Sequence, residues 1–214
     1  IPEMVRTIGI YAFSRCTGIT SLCFMDGIES ISCHAFEDCT GIITLRLPAS
    51  MRFIGSCTFS GCTGIRSLCV PKRVKSIGVY AFASCVGIVT LNISEGVEFI
   101  GSGAFQDCTG INTIVLPESL KDFGAQFDSF LYGGSFRDCT NLTSVFAPDV
   151  LTKSLTEGDK TITFEGCPVL NTGLTPYSNV SPLRSLFWHP TMHPWCTPDQ
   201  HNSVMTLLIV KIGL

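Results

Sequence analysis

Charge is scarce in this chain. Only 14% of its 214 residues are Asp, Glu, Lys or Arg, and the formal net charge is −3. With neither a basic cluster nor an acidic tail, the sequence carries no nucleic-acid footprint. No run reaches the roughly 18 apolar residues that a membrane helix needs. The opening "IPEMVRTIGI" has no initiator Met and no charged region leading into an apolar one, which leaves room for an upstream segment. Also missing are a phosphate-binding loop, a dinucleotide fingerprint and a nucleophile elbow. Cys-x-x-Cys never occurs, which argues against a structural zinc module.

Repetition is what the sequence has in abundance. Cys16, Cys39, Cys62, Cys85 and Cys108 follow one another at steps of 23, then Cys139 after 31 and Cys167 after 28. Three residues before each stands Phe13, Phe36, Phe59, Phe82, Phe105, Phe136 or Phe164. Ile8, Ile31, Ile54, Ile77 and Ile100 hold a third column. Six and eight residues after the cysteine come apolar pairs such as Leu22/Phe24, Leu45/Leu47 and Leu68/Val70, often closed by proline. This pattern predicts one short strand and one return loop per repeat. Such a unit cannot bury its apolar face alone, so the copies must stack as a solenoid.

In a parallel stack each column becomes a row with a spacing of about 4.8 Å. The phenylalanines then form an aromatic spine, and the cysteines fill the adjoining row as small buried hydrophobes. Twelve cysteines could instead mean disulfides. Parallel Cβ vectors disfavour the required dihedral, however, and reduced packing thiols point to a reducing intracellular compartment such as the cytoplasm rather than secretion.

The frame L-x-x-L-x-L-P, then I-G-x-x-A-F and C-x-x-L, as in "GIITLRLPASMRFIGSCTFSGCTGI", resembles the BspA-type leucine-rich repeat. Gly-Ile stands here where that family often has Asn-Leu, removing a side chain that could bond backbone. The resemblance implies a β-rich right-handed superhelix of about seven repeats with short parallel strands over residues 1–170. A cap segment, 171–214, would follow, with a helix at about 198–211 begun by Thr197 and Pro198. The tail also resembles the segment ending such arrays in microalgal proteins, a likeness that would make the plastid the reducing compartment.

Outward strand positions form the concave surface that leucine-rich repeat proteins usually use for binding. One outward column is a hydroxyl row, Ser21 to Ser144; the other supplies the contact candidates Arg46, Asn92, Val115 and Phe146. Hydroxyls in such a row can equally serve the strand, pairing along the stack. Two insertions, near 124–131 and 150–160, read as loops. Phe127, Phe130 and Tyr132 in the first would either dock a partner or fold back on the array.

His189, His193, Cys196 and His201 match no zinc module, and Pro190 and Pro194 keep both first histidines off one helix. Cys33 and His34 would point to opposite sides of an extended segment, so no nucleophile is activated there. The expectation is thus a protein without catalytic residues, cofactor or metal. It would act as a protein-binding scaffold or linker, as a cell-surface adhesion or host-interaction module, or as a linker subunit of a membrane-associated, plastid photosynthetic complex. Peripheral membrane contact through the tail fits the last. The N-terminal edge near Met4, Ile8, Tyr11 and Phe13 is expected to be covered by preceding residues or another subunit.

Overall fold

The computed structural model describes residues 4–25, 27–124, 134–154, 163–169 and 174–176. The expected helix at 198–211 and the candidates Phe127, Phe130 and Tyr132 lie outside the described residues, as do residues 155–162.

The chain is a parallel β-solenoid. Where the sequence predicted one strand per repeat, each complete coil has two. The first kind is two residues long: β1 (Thr7–Ile8), β3 (Ser30–Ile31), β5 (Phe53–Ile54), β7 (Ser76–Ile77), β9 (Phe99–Ile100) and β11 (Asp122–Phe123). These pair in order as one six-stranded parallel sheet, with each coil in register with the next. The second kind carries the apolar pairs: β2 (Ser21–Cys23), β4 (Thr44–Arg46), β6 (Ser67–Val70), β8 (Thr90–Ile93), β10 (Thr113–Val115) and β12 (Ser144–Ala147). β2 pairs with β4, β6 with β8, and β10 with β12, which pairs in turn with β13 (Thr175–Pro176).

The phenylalanine and cysteine lie in the turns between the two strand rows, a segment with two hydrogen-bond systems. Alternate amides close local turns, as Ser60 N to Cys57 O (3.2 Å) and Cys62 N to Phe59 O (3.2 Å). Those between them donate to the next coil: Cys57 N to Val79 O, Phe59 N to Ala81 O and Gly61 N to Ala83 O, each 2.8 Å. Both sets of backbone groups are thereby satisfied. The geometry needs left-handed backbone twice per coil, at Tyr11, His34, Cys57, Tyr80 and Gly103, and again at Arg15, Asp38, Gly61, Ser84, Asp107, Asp138 and Gly166. Cys33–His34 is therefore part of a turn, not an extended segment. His34 stacks on Tyr11 at 4.7 Å, and its Nδ1 lies 3.2 Å from Glu37 Oε1.

Coil spacing also fixes the small residues. A methyl group at Gly78 would stand 2.6 Å from the carbonyl carbon of Gly55, and one at Gly64 would meet the Thr40 and Ile42 oxygens at 2.6 Å. Asn141 occupies the column of Gly64 and Gly110, and there its Nδ2 donates to Thr109 O at 2.7 Å, the backbone bond that the glycine repeats forgo. Gly18, in the same column of the first coil, meets nothing within 4 Å. Gly64→Ala should therefore cost about 1–3 kcal/mol by overpacking. Gly18→Ala should be near neutral, and urea melts of both variants check the contrast.

The stack continues beyond the first insertion. There Ser135 donates its hydroxyl to Gly101 O (2.9 Å) and accepts at its carbonyl from Phe105 N (2.8 Å). The second begins not as a loop but as a short helix, α1 (Asp149–Ser154), which buries Leu151.

Candidate functional site

Every phenylalanine of the spine from Phe36 to Phe164 is fully buried, and successive rings stack at 5.1–5.6 Å with interplanar angles of 5–16°. The cysteine row has a role beyond filling space. Cys39 Sγ donates to Phe13 O (3.0 Å), Cys62 to Phe36 O (3.2 Å), Cys85 to Phe59 O (3.1 Å) and Cys108 to Phe82 O (3.2 Å). Cys139 and Cys167 continue the ladder onto Phe105 O (3.1 Å) and Phe136 O (2.9 Å). Each phenylalanine carbonyl from Phe13 to Phe136 thus fills one lone pair from the cysteine amide of its own coil and the other from the thiol of the next coil. Alanine could not do this.

Burial pushes these thiols up: Cys62 to about 12, Cys85 and Cys108 well above their ordinary value, with the neighbouring thiol of the row adding to the effect. Cys139 is raised by its side-chain interaction with Cys167 and by burial. No disulfide joins the cysteines of the described residues.

Cys16 is exposed, and Phe13 retains 37% exposure beside Tyr11 at 57% and Met4 at 90%. Ile8 departs from that expected open edge: it is 4% exposed, covered by the second coil.

On the second strand row the hydroxyl column Ser21, Thr44, Ser67, Thr90, Thr113 and Ser144 faces outward, and Thr44 pairs with Ser21 and Thr90 with Ser67 in register. Arg46 is exposed beside it, and Asn92 and Val115 are half-buried. Phe146 is a correction: it is 8% exposed because β13 pairs over it, with Thr175 opposite, so it offers no open contact surface.

One surface feature escaped the sequence reading, which found no basic cluster. Stacking gathers Arg52, Lys72, Arg73 and Lys75, all exposed, along the edge where strands of the second kind lead into the six-stranded sheet. In the same row as Arg52 and Lys75, Glu98 bonds Lys121 (2.6 Å) and Lys75 (2.8 Å), which together hold its carboxyl down to about 2. Among the described residues no group of three or more His, Cys, Asp or Glu side chains is placed to hold a metal ion, and no helix is long and apolar enough to cross a membrane.

A parallel array of this kind, with its core closed and its strand row facing outward, defines a leucine-rich repeat solenoid. The model of the BspA type leucine-rich repeat region matches residues 1–112 in six copies, and the chain belongs to that family, which suggests a protein-interaction or adhesion repeat protein. The fold is similar to the crystal structure of the T. pallidum leucine-rich repeat protein, at 23% identity and TM-score 0.63 over 88% of this chain and 82% of that one. It is similar too to a leucine-rich cell surface protein from Faecalibacterium prausnitzii (28% identity, TM-score 0.51, 52% of this chain and 30% of that one). A third similarity is to the pneumococcal vaccine antigen PcpA (18% identity, TM-score 0.57, 82% of this chain and 38% of that one). No curated protein matches the chain.

Proposed function

We propose that the chain is a non-catalytic scaffold that binds protein through the outer face of its second strand row. The observation that supports this most is the strand row itself: an ordered, outward hydroxyl column from Ser21 to Ser144 flanked by Arg46, Asn92 and Val115, over a core that is entirely internal. The rigid coil-to-coil register supplies a preorganised surface that costs little ordering on binding. The thiol ladder requires protonated cysteines, which suits a reducing compartment, cytoplasm or plastid. Membership of a membrane-associated complex as a linker subunit is a narrower form of this reading. The other class of function, surface adhesion, is favoured by the likeness to a bacterial cell surface protein.

Val115→Glu, which leaves the core untouched, separates a strand-face binder from an array that binds elsewhere. Captured partners should be lost from the variant and retained by the parent chain, with equal melting temperatures. An unchanged set of partners would rule out the strand face.

A further inference from the structure

Between Asp38 and Glu95 the sequence holds six basic residues and no acidic one: Arg46, Arg52, Arg66, Lys72, Arg73 and Lys75. The chain as a whole is acidic, so this excess is confined to a few coils. Arg52, Lys72 and Arg73 are exposed, and none has a carboxylate partner among the described residues; Lys75 is paired with Glu98. The carboxylate nearest along the row of Lys72 is Glu95, and it is engaged elsewhere. Its two oxygens accept from the backbone amides of Glu118 (2.7 Å) and Ser119 (3.1 Å) in the following coil.

Arg73 also departs from what its position does for the fold. In that column Ser50 takes a hydrogen bond from Gly27 N and donates to Ile28 O, and Ser119 does the same with Gly96 N and Val97 O. Two positions lie between them in this column: Gly96, without a side chain, and Arg73, with a long exposed cation that can supply no such bridge. Beside it, Phe53 keeps 48% exposure on the outer side of β5, in a row whose neighbours are Ser30 and Ser76, so the ring stands above small residues next to Arg52.

We infer that this edge, formed by Arg52, Phe53, Lys72 and Arg73, is a docking surface for a short acidic segment of a partner protein. It rests on the reading of the array as a protein-binding scaffold, but not on the strand face. Two arginine forks suit carboxylates, and an aromatic beside arginine is the composition of an interface centre. The patch is short: one to two coil spacings, about 5–10 Å. That is the reach of two to three extended residues. A nucleic-acid duplex or a membrane surface would run past it and meet Glu29 on one side and Glu98 and Glu118 on the other, where like charge repels.

The test uses the 214-residue chain and a fluorescent peptide with Asp-Glu pairs flanking one leucine. Its Asn-Gln counterpart, a short DNA duplex and phosphatidylserine vesicles are run alongside. The acidic peptide should bind in a salt-dependent manner, and the double variant Lys72→Glu/Arg73→Glu, with unchanged circular dichroism and melting, should weaken it about tenfold or more. Equal binding of the amide peptide, unchanged affinity in the variant, no peptide binding at all, or preference for duplex or vesicle overturns the inference. None of these outcomes bears on the strand face, which the Val115→Glu comparison tests separately.

Discussion

Phe59→Ala should destabilise the chain by about 3–5 kcal/mol, a large fraction of the stability of an ordinary domain. Phe59 is fully buried between the rings of Phe36 and Phe82, at 5.4 and 5.3 Å, so truncation opens a cavity with two aromatic walls. The backbone around it cannot collapse to fill the space, because its amide and carbonyl are tied to the neighbouring coils and to Cys85. Phe13→Ala should cost markedly less, since that ring has one stacked neighbour and is 37% exposed. Urea melts at neutral pH read both, and equal losses at the two sites would contradict a spine whose stability is carried by nearest-neighbour interfaces.

The second large effect is a loss of stability at alkaline pH. The folded state holds Cys62, Cys85 and Cys108 protonated well above the ordinary thiol value of 9.0, while the unfolded chain releases those protons near it. The folded state then binds more protons than the unfolded one. The stability is fully present below pH 9 and falls as pH rises toward about 12, the value reached by Cys62. Each such thiol contributes a slope of about 1.4 kcal/mol per pH unit, and Cys39, Cys57 and Cys139, also raised, act in the same direction. Replacing Cys85 by alanine should lower stability at pH 7 yet reduce that slope by about 1.4 kcal/mol per pH unit. A slope unchanged by the substitution would show that the row does not titrate with unfolding.

The columns were legible because a solenoid writes its contacts at constant sequence separation. Phenylalanine, cysteine and isoleucine could each be assigned to a buried row before any coordinate was known. The two-residue strands were not legible: Thr7–Ile8 or Ser76–Ile77 is too short to show alternation, and the hydrogen bonds that define them come wholly from the adjacent coil. The left-handed turn positions were hidden for another reason. Tyr11, Cys57 and Tyr80 are not residues that announce positive φ, and inter-coil bonds on either side impose it.

The surface was read less well than the core. Phe146 looked exposed because its cover, β13, lies outside the repeat frame. The basic edge was missed because Arg52 and the 72–75 run belong to different repeats and meet only when the coils stack. The carbonyl bonds of the thiols carried no sequence signal at all, since a packing cysteine and a donating cysteine are written alike.

The cysteine row is a set of buried, protonated thiols locking each coil to the one before it. Site-resolved alkylation of the unreduced protein at pH 8, followed by peptide mass spectrometry, tests it most directly. Cys16 and Cys23, both exposed, should be modified within the first exposure to reagent. Cys62, Cys85 and Cys108 should be modified only at the rate of global unfolding, and should be recovered as free thiols once the chain is denatured. Modification of Cys85 as fast as Cys16, or its recovery in a disulfide, would contradict the account.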